Sequence, residues 1–114
     1  MKIKQFEIWI ADLHPWLGTE TGKVRPVIVV QTDLLNQAHP STIICPITTS
    51  VHPDAQILRI HLKRGKFGLK EDCDIMLDQI RAIDNRRLKK KVGQVDADIA
   101  NLIRENLMIV LGVE

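Results

Sequence analysis

Four consecutive β-branched residues, Val27, Ile28, Val29 and Val30, most constrain how this chain can fold. A strand with one wet face alternates apolar and polar side chains, whereas an unbroken run reads as a strand buried on both faces. Pro26 stands directly before the run; having no amide donor, it suits the first residue of a strand, and it holds Arg25 extended. The polar stretch GTETGKV, 18–24, therefore delivers a cation onto the end of a rigid strand. Glu20, Lys23 and Arg25 set opposite charges close together. Two readings stay open: Arg25 is presented to an anionic ligand, or it closes a surface pair with Glu20.

At 114 residues, 45% hydrophobic and 26% charged, the chain is expected to form one globular domain, 1–114, around a single core. The N-terminal MKIKQFEIW opens a strand pattern without an apolar leader, and no segment approaches the length of a membrane span. A cytoplasmic location without membrane association is the expectation. Cys45 and Cys73 lie in apolar, strand-like surroundings without CxxC spacing, which reads as two buried free thiols. A net charge of +2 says little about nucleic acid. The basic clusters Lys63, Arg64, Lys66 and Arg86, Arg87, Lys89, Lys90, Lys91 read, taken alone, as solvated turns. No two of His14, His39, His52 and His61 share metal-ligand spacing, so neither a metal nor a cofactor is expected; only His52, close behind Thr48, is kept as a substrate contact.

In chain order, Phe6–Asp12 reads as a strand with Phe6, Ile8 and Ile10 on one face and Glu7, Trp9 and Ala11 on the other. The long loop 13–24 carries one aromatic, Trp16, which either stacks on a base or caps the barrel end. Asp33 is expected to cap a helical turn, Leu34–Gln37. Thr42–Ile47 is a third strand running into Thr48, Thr49 and Ser50; these hydroxyls can hold a phosphate oxygen or simply favour strand and turn. Ile57–Leu62 alternates as a half-exposed strand. Cys73–Leu77 is another, continued through Asp78–Asp84, with Gln79 an unusual polar residue among buried neighbours. Asn85–Leu88 reads as a helical turn, Lys90–Val95 as the last strand, and Asp96 as the cap of a helix whose apolar residues are Ile99, Leu102, Ile103, Leu107 and Val110, stopped by Gly112. A mainly β, compact, partly open barrel with a C-terminal helix follows.

GTETGKVRPVIVVQTD, TIICPITTS and MLDQIRAID, in that order and spacing, resemble the MazF/PemK family of toxin endoribonucleases. The similarity runs from about Phe6 to the terminal helix. It implies an SH3-like, partly open β-barrel that dimerises and cuts single-stranded RNA at short motifs without a metal. It also implies a partner antitoxin of MazE type, whose acidic, disordered C-terminal tail occupies the RNA groove. By matching motifs, Arg25 and Thr48 fall on the family's catalytic positions, and Glu20 and Gln79 on supporting ones. The family usually has Gly-Asp before its first Ile-Trp or Val-Trp, where this chain has Phe6 and Glu7.

The chemistry of the residues agrees. Attack by RNA's own 2′-hydroxyl needs a proton acceptor, a proton donor and cationic support for a charged transition state. Arg25 offers a planar, permanently charged fork and Thr48 a further donor, while Lys23, Ser50, His52, Gln79 and Trp16 are candidate substrate contacts. An arginine is a poor base, so Glu20 is the better acceptor for the 2′-proton. Two other classes share the barrel: non-enzymatic gyrase poisons resembling CcdB, and plain nucleic-acid-binding barrels. The former end their helix in a tryptophan-bearing tail, whereas this chain ends LMIVLGVE.

Overall fold

The structure, a computed structural model, describes residues 2–15, 17–20, 22–55 and 58–114. Among these, the strands are β1 (Glu7–Asp12), β2 (Val24–Val29), β3 (Ser41–Thr48), β4 (Arg59–Leu62), β5 (Cys73–Met76), β6 (Arg81–Asp84) and β7 (Leu88–Gln94). The helices are α1 (Asp33–Asn36) and α2 (Ala97–Leu111). The strands form one antiparallel sheet in the order β4-β5-β3-β2-β1-β7, with β6 also on β3. The sheet curls without closing. Its gap is bridged where the 63–72 loop lies on β7: a Cβ on Gly68 would sit 2.3 Å from the Val92 carbonyl oxygen, and one on Gly93 2.0 Å from that of Phe67. Only glycines permit backbones this close.

The β-branched run behaves as its composition demands. Ile28 belongs to one buried cluster with Phe6, Ile8, Cys45, Ile47, Ile75 and Ile103, whereas Val27 and Val29 belong to a second with Ile3, Trp9, Ala11, Leu13, Ile44 and Leu88. Both faces of the sheet's centre are thus dry, and alternation along β1 splits Phe6 and Ile8 from Trp9 and Ala11 in the expected way. α2 covers the first cluster through Ala100 and Ile103, with Ile99, Leu107 and Val110 beside them. Asp96 caps its start by accepting from the Ile99 N–H, and Gly112 ends it. Leu102, expected in that stripe, is instead 43% exposed; Ala100, one turn before Ile103, takes the inward position.

Several boundaries differ from expectation, three of them for a reason visible in the structure. β2 begins at Val24, so Pro26 lies inside it, paired with Ile10 of β1. The cap of α1 is Thr32, whose side chain accepts from the Leu34 N–H, because the Asp33 carboxylate is engaged by the Gln5 N–H and the Asn36 side-chain amide. The strand expected to run unbroken to Asp84 is interrupted by a 3-10 turn, Leu77–Gln79. Its cause lies on β3, where Ser41–Ile44 pair with β6 and Ile47–Thr48 with β5, leaving Cys45 and Pro46 unpaired on that side. Pro46 has no N–H to continue the ladder, and the neighbouring chain steps around it. β4 runs from Arg59; Ile57, expected to begin it, lies outside the described residues.

The departure at Phe6–Glu7 has a structural role. Glu7 is 3% exposed, and its carboxylate accepts from the Lys4 N–H (2.9 Å), the Trp9 indole (3.0 Å) and the Lys91 ammonium (2.8 Å). Burial raises its pKa, but these donors outweigh burial and hold it below the ordinary value. Cys45 and Cys73 are both free and buried. No helix of the described residues is long and apolar enough to cross a membrane.

Candidate active site

β2 and β3 pair as Val27↔Pro46, Ile28↔Cys45 and Val29↔Ile44. The same register carried two residues further sets Arg25 against Thr48, but pairing stops before it gets there. Pro26 turns toward β3 a nitrogen without the hydrogen that would extend the ladder, and the two strand ends part. A depression of about 320 Å³ opens at this end, lined by Thr19, Glu20, Gly22, Lys23, Arg25, Thr48, Ser50, Arg59 and Met76. Five residues marked in the sequence, Glu20, Lys23, Arg25, Thr48 and Ser50, come together here.

Each polar group has a definite tether. Arg25 donates from Nε to the Gly22 carbonyl at 2.7 Å, which fixes the guanidinium plane and leaves its two terminal amino groups for the depression. No carboxylate among the described residues pairs with Arg25, so the surface pair with Glu20 is not formed. Partial burial lowers the Arg25 pKa below its usual value without supplying an internal counter-charge. Glu20 accepts from the Leu17 N–H at 2.7 Å through one oxygen, while its own N–H donates to the Leu17 carbonyl. Thr48 Oγ1 accepts from the Ser50 N–H at 3.1 Å, which leaves its hydroxyl proton to donate into the depression. Lys23 reaches the rim from a left-handed backbone, φ 71; its carbonyl accepts from the Leu13 N–H.

Two further sequence candidates, His52 and Gln79, are not among the residues lining the depression. His52 is exposed and does not line the depression; its backbone N–H, rather than its ring, is engaged, donating to Asp74. Gln79, half-buried in the 3-10 turn, is likewise not among the lining residues. Trp16 lies outside the described residues.

From sequence Arg59 is only the polar side of an alternating strand; the structure brings it into the site. Its partner is Asp74, fully buried, which accepts from Arg59 Nη1 (3.1 Å), the His52 N–H (2.8 Å) and His61 Nδ1 (2.6 Å). Burial raises the Asp74 pKa, yet these donors prevail and keep it below the ordinary range. A single acid among the apolar residues of CDIM was the one sequence signal of this network, since a buried carboxylate demands donors.

Size alone does not select the site. A larger hollow, about 460 Å³, lies over Ile10, Pro26, Leu69 and Val92, with Lys70, Lys90 and Lys91 at its edges. It has lysines but no arginine. Among the described residues no three of His, Cys, Asp or Glu are grouped to hold a metal ion.

Known proteins of like sequence and shape place the chain. A family model described as PemK-like, MazF-like toxin of type II toxin-antitoxin system matches residues 4–111. Endoribonuclease EndoA of Bacillus subtilis (strain 168) is 34% identical over 113 residues, covering 99% of this chain and 97% of that protein. MazF of Deinococcus radiodurans superposes with a TM-score of 0.84 at 21% identity, covering 99% of each chain. Mycobacterium tuberculosis toxin MazF-mt6 does so with a TM-score of 0.79 at 19% identity, covering 95% of this chain and 98% of that one. At those identities the structures speak to the fold, while the family match spans nearly the whole chain. The chain belongs to the PemK-like, MazF-like toxins of type II toxin-antitoxin systems.

Proposed function

We propose that the protein is a toxin endoribonuclease that cuts single-stranded RNA by attack of the RNA's own 2′-hydroxyl, at the depression between the ends of β2 and β3. The observation that carries the reading is the meeting of Glu20, Arg25 and Thr48 in one open hollow, in a chain whose relative is an endoribonuclease. Glu20 accepts the 2′-proton through the oxygen not bound to Leu17. The terminal amino groups of Arg25 grip the non-bridging phosphate oxygens in two-pronged fashion, and the Thr48 hydroxyl donates to one of them. These contacts strengthen as charge builds on the phosphorus-bound oxygens. The bond from phosphorus to the 5′-oxygen then breaks, and in so open a site water supplies the proton that oxygen needs. The products are a 2′,3′-cyclic phosphate and a 5′-hydroxyl. No step calls on a metal or a cofactor.

The working form is a cytoplasmic homodimer held in check by a MazE-like antitoxin. Its acidic, disordered tail lies across the RNA groove and covers or displaces the loop bearing Glu20 and Lys23. Solved MazE-MazF complexes from Deinococcus radiodurans share the fold, with a TM-score of 0.77 at 21% identity for one of them. Lys23 and Arg25 would attract a carboxylate-rich peptide as they attract phosphates.

Incubation with a mixed transcript, followed by end-group analysis, tests the reaction. The expected result is cutting at short motifs in excess chelator, with cyclic phosphate and 5′-hydroxyl ends. Cleavage of an RNA whose scissile 2′-hydroxyl is replaced by hydrogen would mean that water attacks instead. Intact RNA throughout would leave a binding module or a gyrase poison.

A further inference from the structure

Arg59 has donor capacity that neither the fold nor the reaction above uses. Its side chain, 19% exposed, lines the same depression as Arg25 and Thr48. Within the protein it works through one nitrogen: Nη1 donates to the Ser50 carbonyl at 3.0 Å and to Asp74 Oδ2 at 3.1 Å. Among the described residues Nε and Nη2 have no hydrogen-bond partner, and neither is a buried atom left unsatisfied. They are donors open to solvent on a group held at its other edge.

We infer that Arg59 is a second RNA-binding residue, gripping a backbone phosphate beside the scissile one, and that Asp74 is the positioning residue that aims it. The inference deepens the ribonuclease reading and rests on it. Asp74 also receives His52 N–H and His61, so Arg59 is one of three donors rather than its sole relief. The lining carries three cations, Lys23, Arg25 and Arg59, and one carboxylate, Glu20; Asp74 balances Arg59 from beneath, but the outward N–H groups of Arg59 still add donors beyond those of Arg25. An RNA strand brings one charge per nucleotide, and a guanidinium tethered at one edge offers the other as a preset fork with little ordering cost. The aim is rigid because Asp74 sits across from Thr48 in the β3–β5 ladder, so the residue holding Arg59 is the ladder partner of a proposed catalytic one.

The test is binding of an RNA that carries a mapped cut site with a 2′-deoxy nucleotide at the scissile position, measured by anisotropy over a series of salt concentrations. Arg59→Gln is expected to weaken binding about tenfold and to reduce the slope of log affinity against log salt by about 0.7, one phosphate contact on a single strand. On cleavable RNA it raises KM by a similar factor, while kcat stays within about threefold. Arg59→Lys keeps the slope but loses several-fold in affinity, because charge survives and the fork does not. Circular dichroism and urea unfolding check the fold, and should Arg59→Gln fail to fold, Arg59→Lys carries the test alone. A folded variant with wild-type affinity and slope overturns the inference while leaving the nuclease intact. Wild-type protein that neither binds nor cuts RNA overturns both.

Discussion

Thr48 of β3 lies directly opposite Asp74 of β5, and this pair ties the proposed chemistry to a buried charge network. Asp74 is also opposite His61 of β4. Paired residues on neighbouring strands share a face of the sheet, so Thr48, Asp74 and His61 form one row, with Arg59 two residues along from His61. The loop after Thr48 is fastened to that row at three backbone points: the Ser50 carbonyl by Arg59, the His52 N–H by Asp74 and the Ala55 carbonyl by His61.

His61 makes this fastening depend on pH. Its Nδ1 faces a carboxylate and its Nε2 a carbonyl, at 2.6 and 3.0 Å, and only the doubly protonated ring donates to both. The hydrogen bond with Asp74 is the largest influence raising the His61 pKa above 6.5, and nearby Arg59 opposes it. A raised pKa gives stability that is full below 6.5 and lost as pH rises through the folded value. The urea midpoint of the wild type should therefore fall as pH rises from 6.5 through the folded value, and His61→Gln should remove that part of the fall. Identical pH profiles for the two would contradict the account.

Glu7 and Asp74 act at the other end of the scale. Both have folded pKa values below their ordinary ones, so their stabilisation is present above the ordinary carboxylate range and lost as pH falls through the folded values. Glu7→Ala strands the buried Trp9 indole N–H and removes the acceptor of the part-buried Lys4 N–H, and should cost about 2 kcal/mol. Urea denaturation at neutral pH measures it; a loss below about 0.5 kcal/mol would show that these bonds do not matter.

The two thiols should be silent in the native protein. Cys45 is pushed up to about 12 by burial, with Asp78 adding to it, and burial raises Cys73 as well. Labelling with a thiol reagent at pH 8 is expected to be slow until denaturant is added, after which both react. Rapid native labelling of Cys45 would mean that the core opens readily.

Much of this fold was legible because burial writes itself into composition. The unbroken Val27–Val30 run, the alternation along β1 and the spacing in α2 each left a periodic signal. Prolines did not. Their consequence depends on which neighbour they face, so the splayed strand end at Pro26 and the turn at Leu77–Gln79 beside Pro46 needed the sheet's register to be seen. The same holds for the site. Glu20, Lys23 and Arg25 are close in sequence and came with the loop, whereas Arg59 reaches the depression across strands through a contact with Asp74 that no local pattern encodes. His52 is near to Thr48 along the chain, but its backbone N–H is fastened to Asp74 and it is not among the residues lining the depression.

Antitoxin inhibition should be electrostatic and should need the dimer. Light scattering at micromolar concentration is expected to report about twice the chain mass. A synthetic peptide of the acidic tail should compete with RNA, less well as salt rises. An active monomer would remove the shared groove, and a peptide affinity indifferent to salt would remove the charge argument.

The central claim, that the depression between β2 and β3 is the catalytic site, meets its most direct test in single-turnover RNA cleavage by Arg25→Ala, with circular dichroism as the fold control. Arg25 sits at a strand end, and among the described residues its amino groups have no hydrogen-bond partner, so its loss should spare the fold. The expected rate falls about a hundredfold or more, Thr48→Ala falls comparably, and Arg25→Lys does not restore activity because the two-pronged grip is gone. A folded Arg25→Ala protein that cuts RNA at near the wild-type rate would contradict the account and move the chemistry elsewhere.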